Sequence, residues 1–166
     1  MRILGVDPGL RVTGYGVSEI PNKVSFGDPV ELVEMGVVKT SERAGISARL
    51  EQIYTALSEA ITELKPDLIA IEKLYAHYKH PSTAILMGHA RGVVCLLSGV
   101  HGLPLANVAP THVKKAVTGH GHANKEQVQR MVQRFLGLAK PPEPADVSDA
   151  LAIALSHAFN LPKSRS

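Results

Sequence analysis

The 166-residue sequence holds a single cysteine, Cys95. One thiol rules out an internal disulfide and fits a reducing compartment. Set in an apolar helical run, it reads as core filling rather than as a nucleophile. No secretory leader is expected either, because the apolar stretch at residues 3–6 is short and runs straight into Asp7-Pro8-Gly9. No apolar run approaches the ~20 residues that a bilayer span needs, so a cytoplasmic protein is expected. There is no Gly-x-x-x-x-Gly-Lys phosphate loop, no motif around a nucleophilic serine or cysteine, and no Cys-His zinc pattern. Internal repeats, low-complexity tracts and linkers are lacking as well. That predicts one domain over residues 1–160 and a short basic tail at 161–166. With 45% apolar and 20% charged residues the chain is globular and long enough to bury a core. Its formal charge of +3 permits a polyanionic partner without demanding one.

The pattern opens with an apolar strand at residues 3–6. Asp7 stands at its end, where Pro8 and Gly9 stop the pairing and turn the chain into a second strand over residues 12–18. A third strand is predicted over residues 30–39, with Gly36 a candidate bulge. Ile46, Leu50, Ile53, Leu57, Ile61 and Leu64 step by three and four, which predicts an amphipathic helix closed by Pro66. Residues 67–71 form a buried strand ending at Glu72. A long apolar helix over residues 82–100 carries Gly88, Gly92 and Gly99. Each costs ~1 kcal/mol relative to alanine, so a closely approaching backbone, such as a second subunit's, is expected there. A strand at 103–108, a short helix from Pro110 to Val117, a helix capped by Asn124 and Gln127, a proline-rich connector at 140–144 and a last helix from Asp146 to Phe159 complete the chain. A meander followed by strand–helix–strand units argues for an α/β fold with a mixed sheet.

A buried carboxylate at a strand end needs a cation, a proton or donors. Asp7 therefore reads either as a metal ligand or as an acceptor of turn hydrogen bonds. Asp146 and Asp149 share the first turn of the last helix, where they are either ligands or ordinary caps favoured by the helix dipole. Together with Glu72 they are four acidic groups at places where α/β sheets gather ligands. Such a donor set suits a hard cation, Mg²⁺ or Mn²⁺. Two such ions ~3.5–4 Å apart serve phosphodiester hydrolysis.

The stretches Gly5-Val6-Asp7-Pro8-Gly9, Ile69-Ala70-Ile71-Glu72-Lys73-Leu74-Tyr75, Gly88-His89-Ala90-Arg91-Gly92-Val93, residues 113–119, residues 124–128 and residues 149–154 closely resemble the RuvC family of bacterial Holliday junction resolvases. The resemblance runs in order to about residue 160. It implies a ribonuclease H-like fold and a homodimer. It also implies Mg²⁺-dependent endonuclease action on four-way DNA junctions, by symmetric paired nicking, and a branch-migration complex of RuvA and RuvB as partner. Asp7, Glu72, Asp146 and Asp149 fall on the family's four acidic catalytic positions, in the all-acidic version. Tyr75 matches an aromatic position associated with base stacking. One departure is Lys73, where the family often has glutamine; its charge could lower the pKa of Glu72 or meet a phosphate.

Lys114, Lys115 and Lys125 flank a His/Gly loop and are expected to contact phosphate, with Lys79 and Arg91 as weaker candidates. Lysines on a solvated helix face would read the same way. His120 and His122 are too few for zinc and read as surface loop residues; His157 reads as structural. A silent junction-binding module, or a nuclease of this fold acting on structured RNA, are the rivals. An actin-like ATPase, whose phosphate loop also begins strand-Asp-x-Gly, would need a second lobe that this length cannot supply.

Overall fold

The computed structural model describes residues 1–22, 24–74 and 81–161. Its elements are β1 (Arg2–Asp7), β2 (Val12–Glu19), β3 (Glu31–Lys39), α1 (Ile46–Leu64), β4 (Leu68–Glu72), α2 (Pro81–His101), β5 (Leu105–Val108), α3 (Pro110–Thr118), α4 (Lys125–Phe135) and α5 (Ala145–Phe159). The five strands form one sheet in the order β3-β2-β1-β4-β5. β1 pairs antiparallel with β2, and β2 with β3, whereas β4 runs parallel to β1 and β5 parallel to β4. The expected mixed sheet is present, with β1 in the middle.

The strand period of two assigns the faces. Leu4, Val6, Ile69 and Ile71 point to one side and meet Ile53, Leu57 and Ile61 of α1 together with Val94 and Leu97 of α2. Ile3 and Ala70 point to the other and meet α3, α4 and α5. Asp7 and Glu72 have the parity of Ile3 and Ala70, so both carboxylates emerge on the α5 side. The pairing of Val6 with Ile71 brings the two strand ends side by side.

α5 lies directly across β1 and β2. It is apolar on almost every side, as befits a helix in the middle of a layer. Leu151, Ile153 and Leu155 are fully buried, each contributing about 1.5–3 kcal/mol. Three glycines make the close approach possible. A Cβ on Gly5 would come 2.0 Å from the Ala150 carbonyl oxygen, one on Gly14 2.1 Å from that of Asp146, and one on Gly16 2.3 Å from a Leu151 methyl. Gly5 faces Gly16 and Asp7 faces Gly14 across the β1–β2 ladder. The helix therefore sits on a patch of bare backbone.

Three expectations need correction. The sheet irregularity is opposite the Val17–Ser18 step, where Val17 pairs with Glu34 and Ser18 with Leu32, rather than at Gly36. Gly36 is instead covered by the Tyr15 ring, whose hydroxyl donates to Glu34 at 2.9 Å. Cys95 is exposed, not core filling. The same helix is long and apolar enough to cross a bilayer by length and composition, against the expectation that no run reached that length. Its Ala90, Val94 and Leu97 are nonetheless packed into the core. Among the described residues, open space stands where a Cβ on Gly88, Gly92 or Gly99 would be, which leaves room for the second backbone expected there. They lie among Ile85, Leu86, Leu96 and Val100, which are 45–60% exposed. Among the described residues the glycines seat no neighbour from this chain, and α2 presents an exposed apolar stripe.

Candidate active site

Each carboxylate is delivered by a different local cause. Asp7 ends β1 because Pro8 follows. Thr13 donates to the Gly9 carbonyl at 2.7 Å, and Thr40 donates to the Leu10 carbonyl at 2.5 Å, fixing the turn behind it. Glu72 ends β4, where the Lys73 amide still donates to the Val108 carbonyl at 2.7 Å. Arg91 of α2 donates to the Glu72 carbonyl at 2.6 Å and also bonds the Asn107 side chain on β5. Asp146 and Asp149 lie in the first turns of α5. Gly14 lets that helix end settle beside Asp7.

These groups share one field. Burial, then Asp149, Asp146 and Glu72 in that order, push the Asp7 carboxyl up to about 7, against a smaller opposite pull from Lys125. Burial and then Asp149 also raise Glu72, while Lys114 and Lys125 lower it. Lys125 Nζ stands 3.1 Å from an Asp149 carboxylate oxygen, and that hydrogen bond holds its ammonium above the ordinary lysine range. The cleft of about 300 Å³ between them is lined by Asp7, Glu72, Asp149, Lys114 and Lys125. A second hollow of about 310 Å³ adjoins it across Asp7 and Glu72 and reaches Leu74, Met87 and Arg91.

The donor set is all carboxylate oxygen, and like charges gathered beside a partly buried Asp7 call for a cation. In kind the residues fit a hard divalent ion. As they stand, no three of the described carboxylate, imidazole or thiolate side chains converge into a closed coordination shell, and Lys125 supplies a local counter-charge to Asp7.

The expected phosphate contacts divide. Lys114 and Lys125 line the carboxylate cleft; Lys115 is exposed on α3 and is not among its walls. Arg91, read as a weak phosphate contact, is engaged in bracing Glu72. His120 and His122 are exposed, and burial lowers the pKa of half-buried His157. Tyr75, Lys79, His77 and His80 lie outside the described residues. Sequence reasoning missed the bracing role of Arg91 and the glycine seat under α5. The only signal for the seat was glycine at alternate positions in β1 and β2.

A mixed five-stranded sheet flanked by helices, with acidic groups at adjacent strand ends and a helix start, defines a ribonuclease H-like nuclease. Residues 3–157 match the profile of the family described as crossover junction endodeoxyribonuclease RuvC. The chain is 47% identical over 153 residues to that enzyme of Rhodopirellula baltica, covering 92% of this chain and 83% of the relative. Its backbone superposes on Thermus thermophilus RuvC with a TM-score of 0.86 at 36% identity, covering 96% and 94% of the two chains. The same protein solved in complex with Holliday junction substrate gives 0.87, also at 36% identity, with 96% and 93% covered. The chain belongs to the RuvC family of crossover junction endodeoxyribonucleases, metal-dependent hydrolases of DNA.

Proposed function

We propose that this chain resolves Holliday junctions by symmetric paired nicking, with Asp7, Glu72, Asp146 and Asp149 as catalytic carboxylates holding two Mg²⁺ ions, Mn²⁺ being able to substitute. The observation that carries the reading is the gathering of acids from two adjacent strand ends and the start of α5, where burial first and then Asp149, Asp146 and Glu72 push the Asp7 carboxyl up to about 7. Bound ions of this kind supply a water nucleophile at neutral pH and offset the charge that develops on the leaving oxygen. The chain's own residues do the rest. Asp7 and Glu72 hold the centre of the site on the rigid sheet, and α5 brings Asp146 and Asp149 against it. Lys114 and Lys125 offer ammonium groups to the phosphates beside the one attacked. Lys115 on the same helix as Lys114 and Tyr75 would add a phosphate contact and a base-stacking surface respectively.

The working unit is a homodimer. Its support is the stripe on α2, where exposed Ile85, Leu86, Leu96 and Val100 alternate with open glycines. Small residues admit a second backbone closely, and a two-fold axis would set two sites on opposite strands of a junction that has the same symmetry. A branch-migration complex of RuvA and RuvB is the expected partner, in the cytoplasm.

The test is cleavage of a synthetic mobile four-way DNA junction, beside a linear duplex and a structured RNA, with Mg²⁺ and with EDTA. Paired nicks confined to the junction and dependent on the metal support the reading. Tight junction binding without nicks would leave a binding module, and preferential cutting of the RNA would leave the rival nuclease.

A further inference from the structure

The carboxylate cleft is one part of a longer trough. The cleft that holds Lys114 and Lys125 shares Asp7 and Glu72 with the hollow leading to Leu74. That hollow in turn shares Thr83 and Met87 with a third, of about 550 Å³, which passes Asp146 and ends at Arg11 and Arg49. Charges of both signs line the trough: Lys114 and Lys125 with Asp149 at one end, Asp7 and Glu72 with Lys73 and Arg91 in the middle, and Arg11 and Arg49 with Glu42 and Asp146 at the other. A polyanion with a regular charge spacing fits that arrangement: one phosphate over the carboxylates, where a divalent ion would meet it, and neighbours on either side against fixed cations.

Resting on the junction-cleavage reading, we infer that Arg11 and Arg49 form a second phosphate clamp, so that one continuous strand crosses the site from Lys114 and Lys125 past Asp146 to the β1–β2 turn. Both arginines suit the task. Arg11 follows the turn that ends at Gly9 and projects into solvent with 76% of its side chain exposed. Its partner is Glu42 at 3.3 Å, itself 65% exposed, an ion pair that a phosphate can replace at little cost. Arg49 is half-buried and held by Nε, which donates to the Thr40 hydroxyl at 2.9 Å. That leaves the outer edge of a pre-aimed guanidinium facing the trough, where planar bidentate contact to phosphate is favoured. The clamp is also anchored to the chemistry, since Thr40 holds the Leu10 carbonyl in the turn behind Asp7.

The ion pair of Arg11 with Glu42 offers a test that separates contact from structure. Junction binding is titrated against salt in EDTA for the Asp7→Asn chain, alone and carrying Arg11→Ala or Glu42→Gln. If the pair is only structural, both substitutions delete it and act alike. If Arg11 meets phosphate, Arg11→Ala weakens binding and flattens the log–log salt slope by about 0.9 for each phosphate no longer neutralised, while Glu42→Gln frees the arginine and tightens binding. Equal effects, or an unchanged slope in Arg11→Ala beside a parent that binds normally, overturn the clamp alone. A parent that binds no junction overturns both the clamp and the reading beneath it.

Discussion

Asp7 and Gly14 are cross-strand partners, and a Cβ on Gly14 would stand 2.1 Å from the carbonyl oxygen of Asp146. The absence of a side chain at one position thus sets the distance between acids supplied by two remote segments. Gly14→Ala must lift the start of α5, since the atom it meets is backbone. Overpacking of this kind costs about 1–3 kcal/mol of stability, and a displacement of about 1 Å in a reacting group costs on the order of 10²-fold in rate. The expected result is a folded chain, by thermal unfolding, that binds junction DNA but cleaves it at least that much more slowly. Cleavage at the wild-type rate would show that α5 is not held by this contact.

The pH dependence of stability follows from Asp7. Burial and then the neighbouring acids raise its carboxyl from 3.8 to about 7, so the folded chain binds that proton more tightly than the unfolded one. The stability so gained is complete below 3.8 and is lost as pH rises through about 7. In EDTA, wild type should lose on the order of 4 kcal/mol across this window through Asp7, and Asp7→Asn, which cannot ionise, should lose less. Chemical denaturation at about pH 5 and about pH 8 compares the two slopes. Divalent ion, which needs the ionised carboxylate, should restore the stability of wild type above neutrality and leave Asp7→Asn nearly unchanged.

Arg91 ties the Glu72 carbonyl to Asn107. Arg91→Ala removes both hydrogen bonds, each of the charged kind worth about 1.5–3 kcal/mol. Turnover should fall while junction affinity is little changed, and lysine, which lacks the fork, should not rescue it. A drop in affinity with turnover intact would assign Arg91 to DNA instead.

The stripe on α2 makes a sharp prediction about assembly. Leu96 is 56% exposed beside open Gly92 and Gly99. Leu96→Glu should convert a dimer to a monomer in sedimentation, since an unpaired charge in an apolar contact is strongly disfavoured. The monomer should nick junctions singly, without the paired cut. A wild-type chain that sediments as a monomer would remove the two-fold account.

Much of this was legible in the sequence because the signals were local. Strand ends at Asp7 and Glu72 were marked by Pro8 and by a change of pattern, and the Asn124–Gln127 capping box is present with both of its hydrogen bonds, at 2.9 Å each. The α1 face read from its period buries Ile53, Leu57, Ile61 and Leu64, though its first member, Ile46, is 43% exposed. What stayed hidden depends on tertiary neighbours. The run around Cys95 is apolar on two faces, one turned to the core and one outward, and composition cannot say which face holds the thiol. The brace made by Arg91 was hidden because its two acceptors, a strand-end carbonyl and Asn107, belong to other elements. Gly5, Gly14 and Gly16 matter only through a helix from the far end of the chain.

The central claim is that Asp7 belongs to the chemistry rather than to DNA binding. It is tested by comparing wild type and Asp7→Asn on one mobile four-way junction, measuring binding in EDTA and cleavage after addition of Mg²⁺. The account predicts equal or tighter binding by Asp7→Asn, because a negative charge near phosphate is gone, together with loss of both nicks. Paired nicking by Asp7→Asn at a rate near that of wild type would contradict it.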